Sequence, residues 1–198
     1  MNTISKPQGP SPSFVELIDE NRFTLINHLS QQELSPDELS VLTGMHPKAV
    51  QHNLEYLESA HIVNSQLLDG VQIYQLNPGY LEEYNHLLIA QQEKKKVINS
   101  LDLSKEEQKI VSDYTYVDGR LKSIPTKTKK IVPVLDYLST SFELDTEYSE
   151  PQVNEILEKY FPDTSTLRRY LVDYGYLGRM KDGAQYWKIG PHDSNTRN

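Results

Sequence analysis

The sequence predicts a mostly α fold with small β-hairpin wings, arranged as two winged helix-turn-helix units joined by a helical linker. Three observations carry this expectation. Apolar residues recur at helical spacing in several short segments. Asp69-Gly70 and Asp182-Gly183 each lie between two extended runs, a strong hairpin signal. The order helix, helix, turn, helix, hairpin occurs twice along the chain, as in a winged helix-turn-helix.

The expected elements follow in order. MNTISKPQGPSPS has no apolar stretch behind a basic start, so residues 1–13 are not expected to be a secretory signal and read as a short disordered lead. Phe14, Val15, Leu17, Ile18, Leu25, Ile26 and Leu29 predict one helix from Phe14 to Leu29. Ser35 caps the next, with Pro36 in its first turn and Asp37 and Glu38 at the positive end of its dipole; Gly44 ends it. Pro47 opens a third helix whose Val50, Leu54, Leu57 and Ala60 form one apolar stripe. Ile62–Leu67 and Val71–Leu76 are the first wing, and Asn77 leads into a long helix reaching Ser100. Residues 14–100 form the first unit, ending in a dimerisation helix, and 101–119 form the linker, in which a capping-box-like Ser104/Glu107 pair opens a short helix to about Tyr114. The second unit spans 120–190. Ile131, Val134, Leu135 and Leu138 mark its first helix, which Pro133 requires to start near Lys130. Ser149 caps the second and Thr164 or Ser165 the third; Gly175 stops the third, and Leu177–Met180 with Gln185–Ile189 form the second wing. Residues 191–198 are a polar tail.

Composition narrows the function classes. No run approaches the roughly 18 apolar residues of a membrane span. Cys is absent, so thiolate metal, redox and nucleophilic chemistry are excluded and the cytoplasm is the expected compartment. No glycine-rich phosphate loop, Gly-x-Ser-x-Gly elbow or zinc-protease His pair occurs, and the carboxylates are spread along helix faces; neither an enzyme, a metal site nor a cofactor is expected. The formal net charge is -8. It is unevenly spread: residues 1–100 hold 6 Lys plus Arg against 12 Asp plus Glu, whereas residues 120–198 hold 12 against 11.

Certain runs resemble known families. Arg22 with Leu25 and Ile26, Leu34-Ser-Pro-Asp-Glu-Leu-Ser, Leu54-Glu-Tyr-Leu-Glu-Ser-Ala before Ile62-Val63, and Tyr74-Gln-Leu-Asn resemble the arsenic-repressor (ArsR-like) class of bacterial winged-helix regulators over roughly a third of the chain. The resemblance implies a homodimeric DNA-binding transcription regulator. The chain departs from the class at His52-Asn53, which stand where an Arg-His pair is usual. It departs again at His61, in place of the Gly that ends the recognition helix, and at Pro47-Lys48-Ala49, in place of small polar residues. Arg120-Leu-Lys, Tyr148-Ser-Glu, Val153-Asn-Glu-Ile-Leu, Thr166-Leu-Arg-Arg-Tyr-Leu-Val-Asp-Tyr-Gly and Tyr186-Trp187 resemble an uncharacterised bacterial domain often attached to such regulators.

Candidate DNA contacts are therefore Thr164, Ser165, Thr166, Arg168 and Arg169 at the front of the second recognition helix, with Arg179 and Lys181 in its wing. Lys127, Lys129 and Lys130 add a basic segment, and Lys48, Gln51 and His52 stand on the first recognition helix. Arg and small hydroxyls are the usual donors to phosphates and guanine edges. Adjacent helical residues diverge by about 100°, so at least one of Arg168 and Arg169 should face solvent; the alternative to a DNA role is that one of them pairs with Asp173 or Glu155 and holds the domain together. Phe14, Leu17, Ile18, Tyr80, Leu81, Tyr84, Leu87 and Leu88 are the candidate dimer contacts, because one small unit should not bury them all. The expected partners are double-stranded DNA and a second copy of the chain, with no membrane. The alternative is a winged-helix protein-interaction module without DNA binding, which suits the acidic first half.

Overall fold

The computed structural model describes residues 14–180 and 183–190, except the side chain of Glu16. The expected lead, the tail and Lys181 lie outside the described residues. The chain divides into two compact units, Met1–Ile89 and Ala90–Asn198. It is mostly helical with two small antiparallel sheets, and each unit is winged-helix-like. Among the described residues no helix is long and apolar enough to cross a membrane.

The first unit contains α1 (Phe14–Leu17), α2 (Glu20–Leu29), α3 (Pro36–Thr43), α4 (Pro47–Ser59), β1 (Val63–Leu68) and β2 (Val71–Leu76). A 3-10 turn (Pro78–Tyr80) then leads into α5 (Leu81–Ser100). The expected single helix from Phe14 to Leu29 is two. Asp19 takes an extended backbone and its side chain accepts the Arg22 N–H at 2.8 Å, so it caps α2 and breaks the chain from α1. Ser35 and Glu38 complete a reciprocal capping box on α3. Val50, Leu54 and Leu57 of α4 are fully buried, each contributing about 1.5–3 kcal/mol.

The second unit contains the rest of α5, α6 (Lys105–Tyr114), α7 (Thr128–Ser139), β3 (Glu147–Ser149), α8 (Glu150–Glu158), α9 (Thr164–Asp173), β4 (Leu177–Arg179) and β5 (Gln185–Lys188). Three expectations change here. Residues 101–119 are not a linker: Leu103, Val111 and Val117 are buried in this unit, and the Ser104/Glu107 box caps α6 with both bonds made. Helix α7 starts at Thr128, before Lys130, so Pro133 sits inside it and its missing N–H leaves the Lys129 carbonyl without a helical donor. Strand β3 was not expected; at three residues it is too short for alternation to show, and it forms by pairing with β5.

The two units share one scheme. In the second, the strand order is β3-β5-β4. In the first, Leu34 makes an isolated bridge to Tyr74 on β2, which pairs with β1, giving the same order with a one-residue first strand. Tyr74 and Tyr186 occupy the same place in the middle strand and both are buried. Ser35 and Ser149 follow the first strand in each unit and both close capping boxes, with Glu38 and Gln152.

Helices α4 and α9 end alike. Ile62 N–H reaches the Leu57 carbonyl at 2.9 Å, and Tyr176 N–H the Leu171 carbonyl at 2.8 Å. The residue that turns the chain is Gly175 at φ 76° in the second unit and His61 at φ 59° in the first. A side chain in this left-handed region is strained where glycine is not. His61→Gly is therefore expected to raise stability by about 1 kcal/mol, read as a higher denaturant midpoint at unchanged slope. An unchanged midpoint would contradict the strain.

Candidate nucleic-acid interface

The first turn of α9 is set by Asp163, not by Thr164 or Ser165 as expected. Its carboxylate accepts the Thr166 N–H at 3.0 Å. Bonding from the Thr166 hydroxyl and backbone holds the Asp163 carboxyl below its ordinary value. The cap places Thr164, Ser165 and Thr166 within the first turn, with Ser165 exposed and the two threonines half-buried. Leu167 and Leu171 turn fully into the core.

The two arginines then part. The Arg168 side chain is 16% exposed; it reaches Glu150 at 2.8 Å, donates to Asn154, and its guanidinium lies 5.9 Å from the Tyr186 ring centroid. It ties α9 to α8 and the sheet, with partners other than the Asp173 or Glu155 expected from sequence. Arg169 is exposed. Arg179 pairs with Tyr186 across β4 and β5, so its side chain shares the face of Tyr186 that looks toward α9. Ser165, Arg168, Arg169, Asp173, Arg179 and Tyr186 line a notch between the helix and the wing. Among the described residues, no carboxylate comes within 4.0 Å of Arg169 or Arg179.

The opposite face of this wing is built differently. Trp187 lies flat across Gly178, where a Cβ would collide with its indole. Back on the Tyr186 face of β5, Lys188 donates from Nζ to the Phe142 carbonyl at 2.9 Å, and burial lowers its pKa, so it anchors a loop.

A second basic cluster precedes α7. Lys127, Lys129 and Lys130 are exposed. Thr115 bridges Leu121 around the Asp118-Gly119 turn, which sets Tyr114 and Tyr116 beside cations. Lys130 Nζ sits 5.3 Å from the Tyr114 centroid; Arg120 and Lys122 sit 5.7 and 5.9 Å from that of Tyr116. Arg120 is also held by Asp118 at 2.7 Å. This aromatic and cationic grouping was missed in the sequence. Two tyrosines two residues apart before an Asp-Gly turn, with basic residues after it, were the available signal.

Residues 120–188 contain both clusters apart from Tyr114 and Tyr116. This stretch matches the family model described as an uncharacterized protein conserved in bacteria (DUF2087). The second unit carries a DUF2087 domain. No curated protein matches the chain. The DUF2087 domain begins at Arg120, so it takes in the basic segment, α7 to α9 and the wing.

The first unit offers a different surface. On α4, Lys48 and His52 are exposed, whereas Gln51 is half-buried and donates to Glu55 at 3.0 Å. His46 caps α4 through Nδ1, which accepts the Lys48 N–H at 3.2 Å. Arg22 is occupied by Asp19 at 2.9 Å and by the Tyr56 ring, 4.2 Å from its centroid. The wing tip is apolar and acidic, with Leu67, Leu68, Asp69 and Val71 all exposed.

The candidate dimer contacts also divide. Ile18, Tyr84 and Leu87 are buried within the unit itself; Tyr84 donates to Asn27 Oδ1 at 2.6 Å and packs near Phe23. They are not available to a partner; Tyr84 is covered through Asn27 and Phe23 of α2, which the sequence did not show. Phe14, Leu17, Tyr80 and Leu88 are half-buried, Phe14 stacking on Tyr80, and Leu81 is 47% exposed.

Proposed function

We propose that this chain is a DNA-binding transcription regulator in which the DUF2087 domain supplies the main DNA contact. The observation that carries the reading is the notch between α9 and its wing, where Ser165, Arg169 and Arg179 converge; Asp173 also lines it, but among the described residues no carboxylate comes within 4.0 Å of either arginine. A recognition helix presenting hydroxyl and guanidinium donors beside a basic wing suits a major groove flanked by phosphates. Lys127 and Lys129 add exposed charge that can follow a backbone. The reading includes no catalytic step. The first unit is proposed as an arsenic-repressor-like scaffold for pairing two copies.

Duplex binding by the full chain should fall steeply with salt, by about 0.9 in log affinity per log salt for each phosphate contacted. No binding at low salt would remove the reading in favour of a protein-interaction module. The pairing uses the apolar residues left outside the core, Leu81 with Phe14, Leu17, Tyr80 and Leu88. Sedimentation at micromolar concentration should report a dimer mass; a monomer mass would remove the pairing and leave the DNA reading standing.

A further inference from the structure

The first unit holds 3 Lys plus Arg against 11 Asp plus Glu across residues 1–89, so the formal charge of -8 resides there; residues 90–198 hold 17 of each. A surface of that sign is repelled by phosphate. Its helix-turn-helix face nevertheless has a shaped feature. Gln32, Leu34, Asp37, Glu38, Val41 and Leu42 line an open groove along α3. Leu34 is its buried floor, while Val41 is 83% and Leu42 51% exposed. Apolar side chains so exposed on a helix with no Lys or Arg of its own are poor neighbours for a DNA backbone.

We propose that this groove docks a cationic amphipathic helix of a partner protein. Such a helix lays bulky apolar residues against Val41 and Leu42 and sets its lysines or arginines against Asp37 and Glu38. Asp37 is exposed. Glu38 stays ionised: its Oε2 accepts the Ser35 N–H at 2.8 Å and the Ser35 hydroxyl at 2.7 Å, which lowers its pKa. Glu38 thus keeps its negative charge further into the acidic range than an ordinary glutamate. Charge complementarity selects the partner's sign, and the apolar ridge selects an amphipathic partner over a uniformly basic one. This inference does not rest on DNA reading by the second unit.

The test uses the full chain and a synthetic helical peptide of leucine and lysine with one apolar face. A scrambled peptide of the same composition serves as the control. Calorimetry should show saturable binding of the patterned peptide and clearly weaker binding of the scrambled one. In Val41→Asp the groove gains negative charge and loses apolar surface. Affinity for the patterned peptide should fall about tenfold if apolar packing counts, and should hold or rise if charge alone attracts it. Val41 is so exposed that the variant should retain its thermal transition, which circular dichroism checks. Equal binding of both peptides, undiminished binding by Val41→Asp, or no binding at all would each overturn the proposal.

Discussion

Replacing Arg169 and Arg179 together by alanine is expected to weaken binding of the full chain to duplex DNA by one to two orders of magnitude. Each lost phosphate contact should reduce the salt slope by about 1, and each lost base contact should cost about 1–3 kcal/mol at a preferred site. Both side chains look into the notch from opposite walls, α9 and β4, and neither has a carboxylate within 4.0 Å among the described residues. The comparison variants are informative. Arg168→Ala should act on stability instead, because that side chain ties α9 to Glu150 and Asn154. Lys48→Ala with His52→Ala should change binding less, since α4 carries Glu55 on the same stretch and its wing has no cation. If the Lys48 and His52 variant loses more affinity while both remain folded, the first unit is the reader.

Leu171→Ala should have the largest effect on stability, about 2–5 kcal/mol. Leu171 is fully buried in the cluster that includes Val153, Leu157, Leu167 and Leu177. Its carbonyl also accepts the Tyr176 N–H that ends α9, so cavity formation loosens the helix end next to the wing. Trp187 is the single tryptophan of the chain and lies on β5, so its emission reports the second unit alone. The denaturant midpoint read from that emission should move down markedly. A midpoint unchanged within error would mean that α9 is not packed as described.

The elements legible in the sequence were those fixed by local rules. Asp69-Gly70 and Gly183 turned hairpins, Ser35, Ser104 and Ser149 stood at helix N-caps, Pro47 opened a helix, and Gly175 closed one. Each rests on residues within a few positions of one another. What escaped depends on partners distant in sequence. Strand β3 exists because β5 lies beside it. The 101–119 stretch belongs to a core because Val111 packs among α7 residues such as Val134. Tyr84 and Leu87 looked like spare apolar surface only because their burial within the unit, for Tyr84 against Asn27 and Phe23, was not visible. At the candidate site, spacing showed that Arg168 and Arg169 diverge but not which one finds Glu150, eighteen positions earlier on another helix. Arg179 was legible as a wing cation; its register opposite Tyr186, which aims it at α9, was not.

The most direct test of DNA contact through the second unit is amide chemical-shift mapping of the full chain titrated with a duplex at low salt and again at high salt. Shifts should concentrate at Ser165, Arg169, Arg179, Lys127 and Lys129 and fade as salt rises. Shifts confined to Lys48, Gln51 and His52, or none at low salt, would contradict that contact.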